Sequence, residues 1–437
     1  MLLQPAVLPE GLVKNKHWLL RKSSPAIKHF VTCRPAYWQE RDICRWLGID
    51  KRFICNFATM SGTFKRIRRR IWLILNIGVV LWILLGVWCL QVPPYEFWPA
   101  GFIAFSLPGA LALNFLFLLY WALRRSWVVV LPLVVMVISW NYYARLVSFN
   151  FGDKEVPAGA KTLEVLSYNT HMFNAYLANK EGEPPSSAEM IDWIATHPAD
   201  VYCLQEFYSK RHSNVYNTIS RIGVRYNKYR FFSVANVDRE KGDIGVVIFS
   251  KYPIVDKGLI NFDMSSPNRV IWTDINVKGD TIRIYNAHLQ SMSIKSEDIE
   301  NTYYAIGNEE NFKKEGRNVV RRLRKGFIAR GHQVELLLEQ VKNSPYPVVV
   351  CGDFNDIPFS YTYSQLADQL QNAFVQAGNG VGATYNGPLP FLRIDNQFYS
   401  DGLKAYDYKT HYEMGLSDHF PVSVKYVLEE EDTEKQD

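Results

Sequence analysis

The feature that most constrains this chain is a set of three apolar runs crowded into its first third. Ile71–Leu90 is twenty residues long, with Asn76 its one strongly polar member. A helix of that length covers roughly 30 Å, the hydrocarbon thickness of a bilayer. Gly101–Leu123 is a second run, with Asn114 its clearest polar residue. Trp127–Tyr143 is a third, shorter, with Pro132 inside it. A cleaved signal peptide does not fit, because the first run is too long, lacks a small-residue cleavage site and is followed by further apolar runs. The runs predict transmembrane helices over 71–90, 101–123 and 127–143.

Charge sets the expected orientation. Residues 1–70 form a basic arm with fifteen Lys/Arg against four Asp/Glu, ending in Lys65, Arg66, Arg68, Arg69 and Arg70. The loop 91–100 holds no basic residue, Arg124 and Arg125 fill the next loop, and Arg145 and Lys154 follow the third run. Basic flanks stay cytoplasmic. The N-terminus is therefore expected inside, and three crossings put the rest of the chain outside; if the third run does not cross, that part is cytoplasmic. Tyr95, Trp98, Trp127, Trp140, Tyr142 and Tyr143 sit near the run ends, as interfacial aromatics do. Met60 just before the basic cluster is a natural start, making residues 1–59 dispensable; a native chain beginning at Met1 would contradict this.

After a linker over 144–161 the pattern changes. Residues 162–428 alternate short β-branched and aromatic runs with turn signals and helical stretches, which reads as one α/β domain. Strands are expected at Leu163–Tyr168, Val201–Leu204, Gly245–Ser250, Val270–Val277, Thr281–Ala287, Val348–Cys351, Ile394–Tyr399 and Val422–Val427, and helices at Ala188–Ala195 and Asn311–Val341. Residues 161–428 carry 29 basic and 30 acidic residues, so the domain lacks the broad basic footprint of a dedicated duplex-DNA binder. Six scattered cysteines without a CxxC pair argue against a zinc site and a disulfide framework. Residues 429–437 form an acidic tail, expected to be disordered.

The chemistry is carried by strand ends. The chain reads Ser167-Tyr168-Asn169, Leu204-Gln205-Glu206, Asn286-Ala287-His288, Gly352-Asp353-Phe354-Asn355, Arg393-Ile394-Asp395 and Ser417-Asp418-His419. An apolar strand that delivers a carboxylate, amide or imidazole at its end is costly unless that group meets a partner. Six such ends argue for one shared site. The residue types suit Mg²⁺ or Mn²⁺ acting on a phosphoester. A hard cation takes oxygen ligands, which Glu206 and the Asn169 amide can supply. Asp353 and Asn355, two apart after a buried strand, can project to one face, where a carboxylate can activate water. His288 and His419 can contact phosphate oxygens or relay protons, and Asp395 can fix the tautomer of one imidazole.

These clusters, in this order, resemble the endonuclease/exonuclease/phosphatase superfamily, which includes DNase I-like nucleases, abasic-site endonucleases, neutral sphingomyelinases and inositol-polyphosphate 5-phosphatases. The resemblance covers roughly residues 162–427, with Gly352–Asn355 and Ser417–His419 its most specific pieces. It implies a four-layer sandwich of two mixed β-sheets flanked by helices. It implies Glu206 as principal metal ligand with Asn169 beside it, and Asp353 with Asn355 as the pair that handles water and leaving group. Asp418 and His419 match the terminal Asp-His, with Asp418 assigned to the metal; Asp395 matches the partner carboxylate of His419, and His288 the mid-chain histidine. Tyr168 stands where the family commonly has Trp, and Asp243 is a candidate carboxylate to support His288.

The expected function is a divalent-metal-dependent phosphoesterase acting on a lipid, small-molecule or nucleic-acid phosphoester, with the apolar helices in contact with membrane lipid. The alternative is a membrane-tethered binding protein that keeps the fold without catalysis. The face Lys313, Arg317, Arg321 and Arg324 recurs at helical spacing and suits solvent or an anionic lipid. Ser291–Glu310 reads as a long polar loop beside His288.

Overall fold

A computed structural model describes residues 51–150, 156–177, 184–238, 242–262, 267–292, 309–389 and 391–429. Most of the basic arm, the acidic tail beyond Glu429 and most of the Ser291–Glu310 loop lie outside the described residues. The chain divides into two compact units, 1–74 and 75–437. The described part of the first is the beginning of one long helix, α1 (Lys51–Cys89).

In the second unit α1 is followed by α2 (Pro99–Phe105), α3 (Leu107–Leu123), α4 (Val130–Ile138) and α5 (Trp140–Leu146). Among the described residues two helical stretches are long and apolar enough to cross a membrane, Arg66–Cys89 and Pro99–Leu123. The third run is bent by 72° between Trp127–Ile138 and Trp140–Leu146, and counts as a further crossing only if that bent pair is one span. The two asparagines of the apolar runs are buried between helices. Asn76 Oδ1 accepts a hydrogen bond from Trp121 Nε1 at 3.1 Å, and Asn114 Nδ2 donates to the Pro132 carbonyl and the Tyr143 hydroxyl, each at 3.1 Å. Polar groups in an apolar bundle act this way as interhelical ties.

The remaining elements are β1 (Ser148–Phe149), β2 (Thr162–Asn169), α6 (Pro185–Thr196), β3 (Val201–Ser209), β4 (Tyr229–Val237), β5 (Asp243–Ser250), β6 (Ile254–Asn261), β7 (Arg269–Val277), β8 (Asp280–His288), α7 (Glu309–Lys342), β9 (Val348–Asp353), α8 (Tyr361–Ala367), β10 (Gln371–Asn372), α9 (Ala373–Ala377), β11 (Asn379–Gly380), β12 (Asp395–Tyr399), β13 (Leu403–Thr410) and β14 (Val422–Leu428). They build two six-stranded mixed sheets, ordered β13-β14-β2-β3-β5-β4 and β10-β12-β9-β8-β7-β6. Val165, Cys203 and Ile248 of the first face Ile271, Ile284 and Val349 of the second across a dry core. Met190, Ile191 and Ile194 of α6 cover the outer face of the first sheet, and Val334, Leu337 and Leu338 of α7 that of the second. This is the expected four-layer arrangement.

Each sheet holds one parallel pair, β2–β3 and β8–β9. A parallel pair needs a crossover, usually a helix, and α6 and α7 lie in those crossovers. The expected strands are all present. The reading missed β4, β6 and β13, which are edge strands. Edges are half solvated and carry charge, so Tyr229–Val237 and Leu403–Thr410 lack the buried apolar run that marks a central strand. Within α7 the expected apolar stripe holds for Phe327, Val334 and Leu338, whereas Val320 is exposed.

The helices of the second unit are packed into the α/β domain. Leu90, Ala100, Ala104 and Leu107 share one buried cluster with Ile357, Phe359 and Ile394. Gln91 Nε2 donates to Asp368 at 3.0 Å, Tyr95 Oη to Glu335 at 2.7 Å, and Arg145 Nη1 to the Ser364 hydroxyl at 3.0 Å. The chain thus leaves the domain at α2 and returns to it at α5.

Gly352, just before Asp353, has φ +140°, and a Cβ there would lie 2.0 Å from the Ala287 carbonyl oxygen. Neither the backbone angle nor the space admits a side chain. Gly352→Ala is expected to destabilise the chain by at least about 3 kcal/mol, read as a loss of thermal stability in detergent; an unchanged melting temperature would refute this account of the β8–β9 contact.

Candidate active site

Parallel strands end side by side, so each parallel pair delivers two polar groups to the same edge. In β2–β3 Asn169 lies beside Gln205, one residue before Glu206, and in β8–β9 His288 is in register with Asp353. The stacked sheets bring the two pairs together. Asn169 Nδ2 donates to Asp353 Oδ2 at 3.0 Å and lies 3.5 Å from Glu206 Oε1. His288 Nε2 lies 3.7 Å from Glu206 Oε1 and 3.9 Å from Asp353 Oδ2. Among the described residues these are the carboxylates within ion-pair reach of His288; Asp243 is not one of them.

Glu206 reaches the site through a β-bulge. Between Leu204↔Val247 and Phe207↔Gly245 two residues of β3 oppose one of β5, and Glu206 takes φ +46°. A bulge re-aims a side chain that the regular pleat would turn away. The Thr170 hydroxyl holds it, donating to the Glu206 carbonyl at 3.0 Å. The Glu206 side chain stays 32% exposed, whereas Asp353 is fully buried.

Asp353 is the hub. Its Oδ1 accepts the Asn355 backbone N–H at 2.8 Å, and its Oδ2 accepts the Asn355 side-chain amide at 3.0 Å. Across the β9–β12 pair Asp353 sits in register with Asp395. Two carboxylates placed opposite one another repel, and His419 relieves this: its Nδ1 is 2.8 Å from Asp395 Oδ2 and its Nε2 3.8 Å from Asp353 Oδ2. Burial pulls the imidazolium down, but Asp395 and Asp353 outweigh it and raise the His419 pKa to about 10. Burial, with Asp395 adding to it, pushes the Asp353 carboxyl up to about 6 against the opposing pull of His419, His288 and the Asn169 amide.

Asp418 is set apart from this network. Its carboxylate, 38% exposed, points to His171 Nδ1 at 3.3 Å. It is tied to the rest through Ser417, whose hydroxyl donates to the Asn169 carbonyl at 3.0 Å and lies 3.2 Å from Asp418 Oδ1. His171, two positions after Asn169 and outside the polar strand ends that mark the other site residues, therefore borders the site. It begins a turn, His171–Leu177, in which His171, Met172, Phe173 and Asn174 all have φ between 46° and 58°. Non-glycine residues avoid that region at a cost of order 1 kcal/mol each. Asn174 pins the turn by donating to the Leu416 carbonyl at 2.9 Å. Tyr168 is buried behind the site against Trp193.

The donor set fits a hard divalent cation. Glu206 and Asp353 supply oxygens around a shared Asn169 amide, and among the described residues Asp395 Oδ1 is buried without a hydrogen-bond partner. Asp353, Asp395 and His419 offer ligand atoms within 4.8 Å of one another. Two of those atoms are engaged in the His419–Asp395 bond, so the solvent-facing Glu206 side is the better seat.

Linkage fixes a sign. The folded pKa of His419 lies above its unfolded value, so its contribution to stability is fully present below about pH 6.5 and is lost as pH rises toward 10. In the metal-free chain, NMR of the histidine side chains is expected to show one imidazole still protonated at pH 8, returned toward ordinary titration by Asp395→Asn. Titration of His419 near 6.5 in the unaltered chain would refute the double-carboxylate clamp.

No curated protein matches the chain. Among solved structures, an endonuclease/exonuclease/phosphatase from Beutenbergia cavernae is 19% identical, covering 61% of this chain and 72% of its own, with TM-score 0.43. The human Nocturnin catalytic domain is 16% identical over 62% of this chain and 96% of its own, with TM-score 0.43. A Bacteroides thetaiotaomicron mannosyl-6-phosphatase is 18% identical over 61% of this chain and 100% of its own, with TM-score 0.41. A domain-of-unknown-function model matches residues 69–146. The sequence model of the Endonuclease/Exonuclease/phosphatase family matches residues 166–419, more than half of the chain and every residue of the network above. The chain belongs to the endonuclease/exonuclease/phosphatase family.

Proposed function

We propose that the chain is a membrane-embedded, divalent-metal-dependent phosphoesterase that hydrolyses its substrate by attack of an activated water. The observation that carries this reading is the convergence of Asn169, Glu206, His288, Asp353, Asn355, Asp395 and His419 at one edge of two sheets, linked by contacts of 3.9 Å or less. Glu206, with Asp418 at the open side, would hold Mg²⁺ or Mn²⁺, and Asn169 would join them through its amide oxygen, which in this structure accepts the His171 backbone N–H while Nδ2 faces Glu206 and Asp353. When bound, that cation neutralises charge on the phosphate oxygens.

The pKa directions divide the remaining roles. His419, kept as an imidazolium by two carboxylates, cannot accept a proton near neutral pH; it can donate a hydrogen bond to a phosphate oxygen. Asp353, raised to about 6, is ionised at neutral pH and basic enough to take the proton of the attacking water. Asn355 fixes its orientation through two hydrogen bonds. His288, between Glu206 and Asp353, faces the same space and can contact a further phosphate oxygen.

The orientation reading also gains support. α2 begins against the domain, where Phe102 packs edge-on to Phe327, and α3 ends at Leu123, next to Arg124 and Arg125. Basic loops stay cytoplasmic, so we assign the domain to the extracytoplasmic side, with the bent third run as the return crossing.

The test uses the full chain in detergent, because its helices are part of the domain core. Hydrolysis of a generic phosphodiester is expected with Mg²⁺ or Mn²⁺ and absent with chelator. Asp353→Asn should lower kcat by about 10²–10⁴. The acidic limb of kcat/KM should fall at or below about pH 6, since a bound cation lowers a carboxylate pKa further. A well-folded chain inert toward phosphoesters would favour the binding-protein alternative. A limb near pH 7 that vanishes in His419→Gln would move the base role to His419.

A further inference from the structure

Two loops flank the open side of the site, and both carry apolar side chains into solvent. The turn His171–Leu177 leaves Tyr176 53% and Leu177 55% exposed, and beyond Tyr385 Leu389 is 38% and Phe391 64% exposed. Both loops are anchored on Asp418. His171 Nδ1 meets its carboxylate at 3.3 Å, and the Asn386 backbone N–H donates to its carbonyl at 2.7 Å. Single exposed apolar residues are ordinary. Four of them on two loops that meet at a site mouth mark a contact surface.

The apolar rim is continuous with the helices. Tyr385 and Leu392, which bracket Leu389 and Phe391, pack against the cluster that joins Leu90, Ala100, Ala104 and Leu107 to Ile357, Phe359 and Ile394. Ile357 and Phe359 follow Asp353 by four and six residues, and Ile394 immediately precedes Asp395. The segments that carry the site's two buried carboxylates are therefore the segments seated on the helices. At the same end of α2, Arg324 lies over the Trp98 ring at 5.1 Å. The exposed basic face of Lys313, Arg317, Arg321 and Arg324 starts from that point on α7. An interfacial Trp and exposed cations beside the helices, with apolar loop tips at the site, suit a headgroup layer.

We propose that the site opens onto the bilayer surface and takes as substrate a phosphoester carried on the headgroup of a membrane lipid, with Tyr176, Leu177, Leu389 and Phe391 seated among the lipids. The proposal rests on the phosphoesterase reading and narrows it: the scissile phosphorus lies in the leaflet that faces the α/β domain. The basic α7 face meets anionic neighbours in that leaflet.

The experiment uses the full chain in phosphatidylcholine nanodiscs doped with phosphatidylglycerol, phosphatidylinositol or phosphatidic acid. Each lipid is compared with its deacylated, water-soluble headgroup ester and with bis(p-nitrophenyl) phosphate. At least one lipid is expected to be cleaved about tenfold or more faster than its soluble counterpart, and the double variant Leu389→Ser, Phe391→Ser to lower that lipid-to-soluble ratio by about tenfold. Cleavage of the soluble esters without preference for any lipid, or a ratio unmoved by the double variant, overturns the lipid assignment and leaves the phosphoesterase standing. A folded chain that cleaves none of them overturns the phosphoesterase reading and this inference with it.

Discussion

Two buried carboxylates, Asp353 and Asp395, stand opposite one another across adjacent antiparallel strands, and the site end of the fold is organised around their repulsion. Isolated buried charges are too costly to survive. Here His419 is clamped between them, Asn169 and Asn355 donate amide hydrogens to Asp353, and His288 approaches from the neighbouring strand. The balance is incomplete: burial still lifts the Asp353 carboxyl, and among the described residues Asp395 Oδ1 has no hydrogen-bond partner.

Holding that arrangement requires local departures from regular structure. Gly352 lets the β8 and β9 backbones approach more closely than any side chain allows, and the β3 bulge turns Glu206 into the site at a left-handed backbone angle. The four left-handed residues from His171 to Asn174 add strain beside Asp418. Such conformations persist where the surroundings over-determine them. At this site the surroundings include the helices: Arg145 donates to the Pro358 carbonyl, and Arg393 Nη2 donates to the Arg145 carbonyl at 2.7 Å. The loops after Asp353 and before Asp395 are braced by the part of the chain that suits a bilayer. The apolar helices therefore act as a wall of the domain.

The central strands and the two long helical stretches of the domain were legible because each buries a run of apolar residues with a clear period. The edge strands β4, β6 and β13 were not, since a half-solvated strand carries a mixed pattern that sequence alone cannot tell from a loop. Polar strand ends identified the residues that meet at the site, because an abrupt Asn, Glu, His or Asp after a buried run has no other economical reason. His171 escaped that logic: it sits in a turn rather than at a strand end, and only the left-handed path of the turn brings it to Asp418. The exposed apolar residues Leu389 and Phe391 likewise carried no signal, as an isolated Leu or Phe in a Pro/Gly-rich loop is unremarkable until its neighbours are known.

The sequence by itself determined the two-part character of the chain, the order and chemistry of the polar clusters and the family they resemble, because these depend on hydrophobic length, period and residue type. Tertiary structure alone decided which oxygens face solvent and which are buried, that His419 lies between two carboxylates, that the third apolar run bends, and that the helices brace the site. The clamp and the bracing depend on contacts between residues from 24 to 277 positions apart in the chain. Electrostatic shifts and packing at such separations arise only when the two sheets close on one another and the helices dock against them.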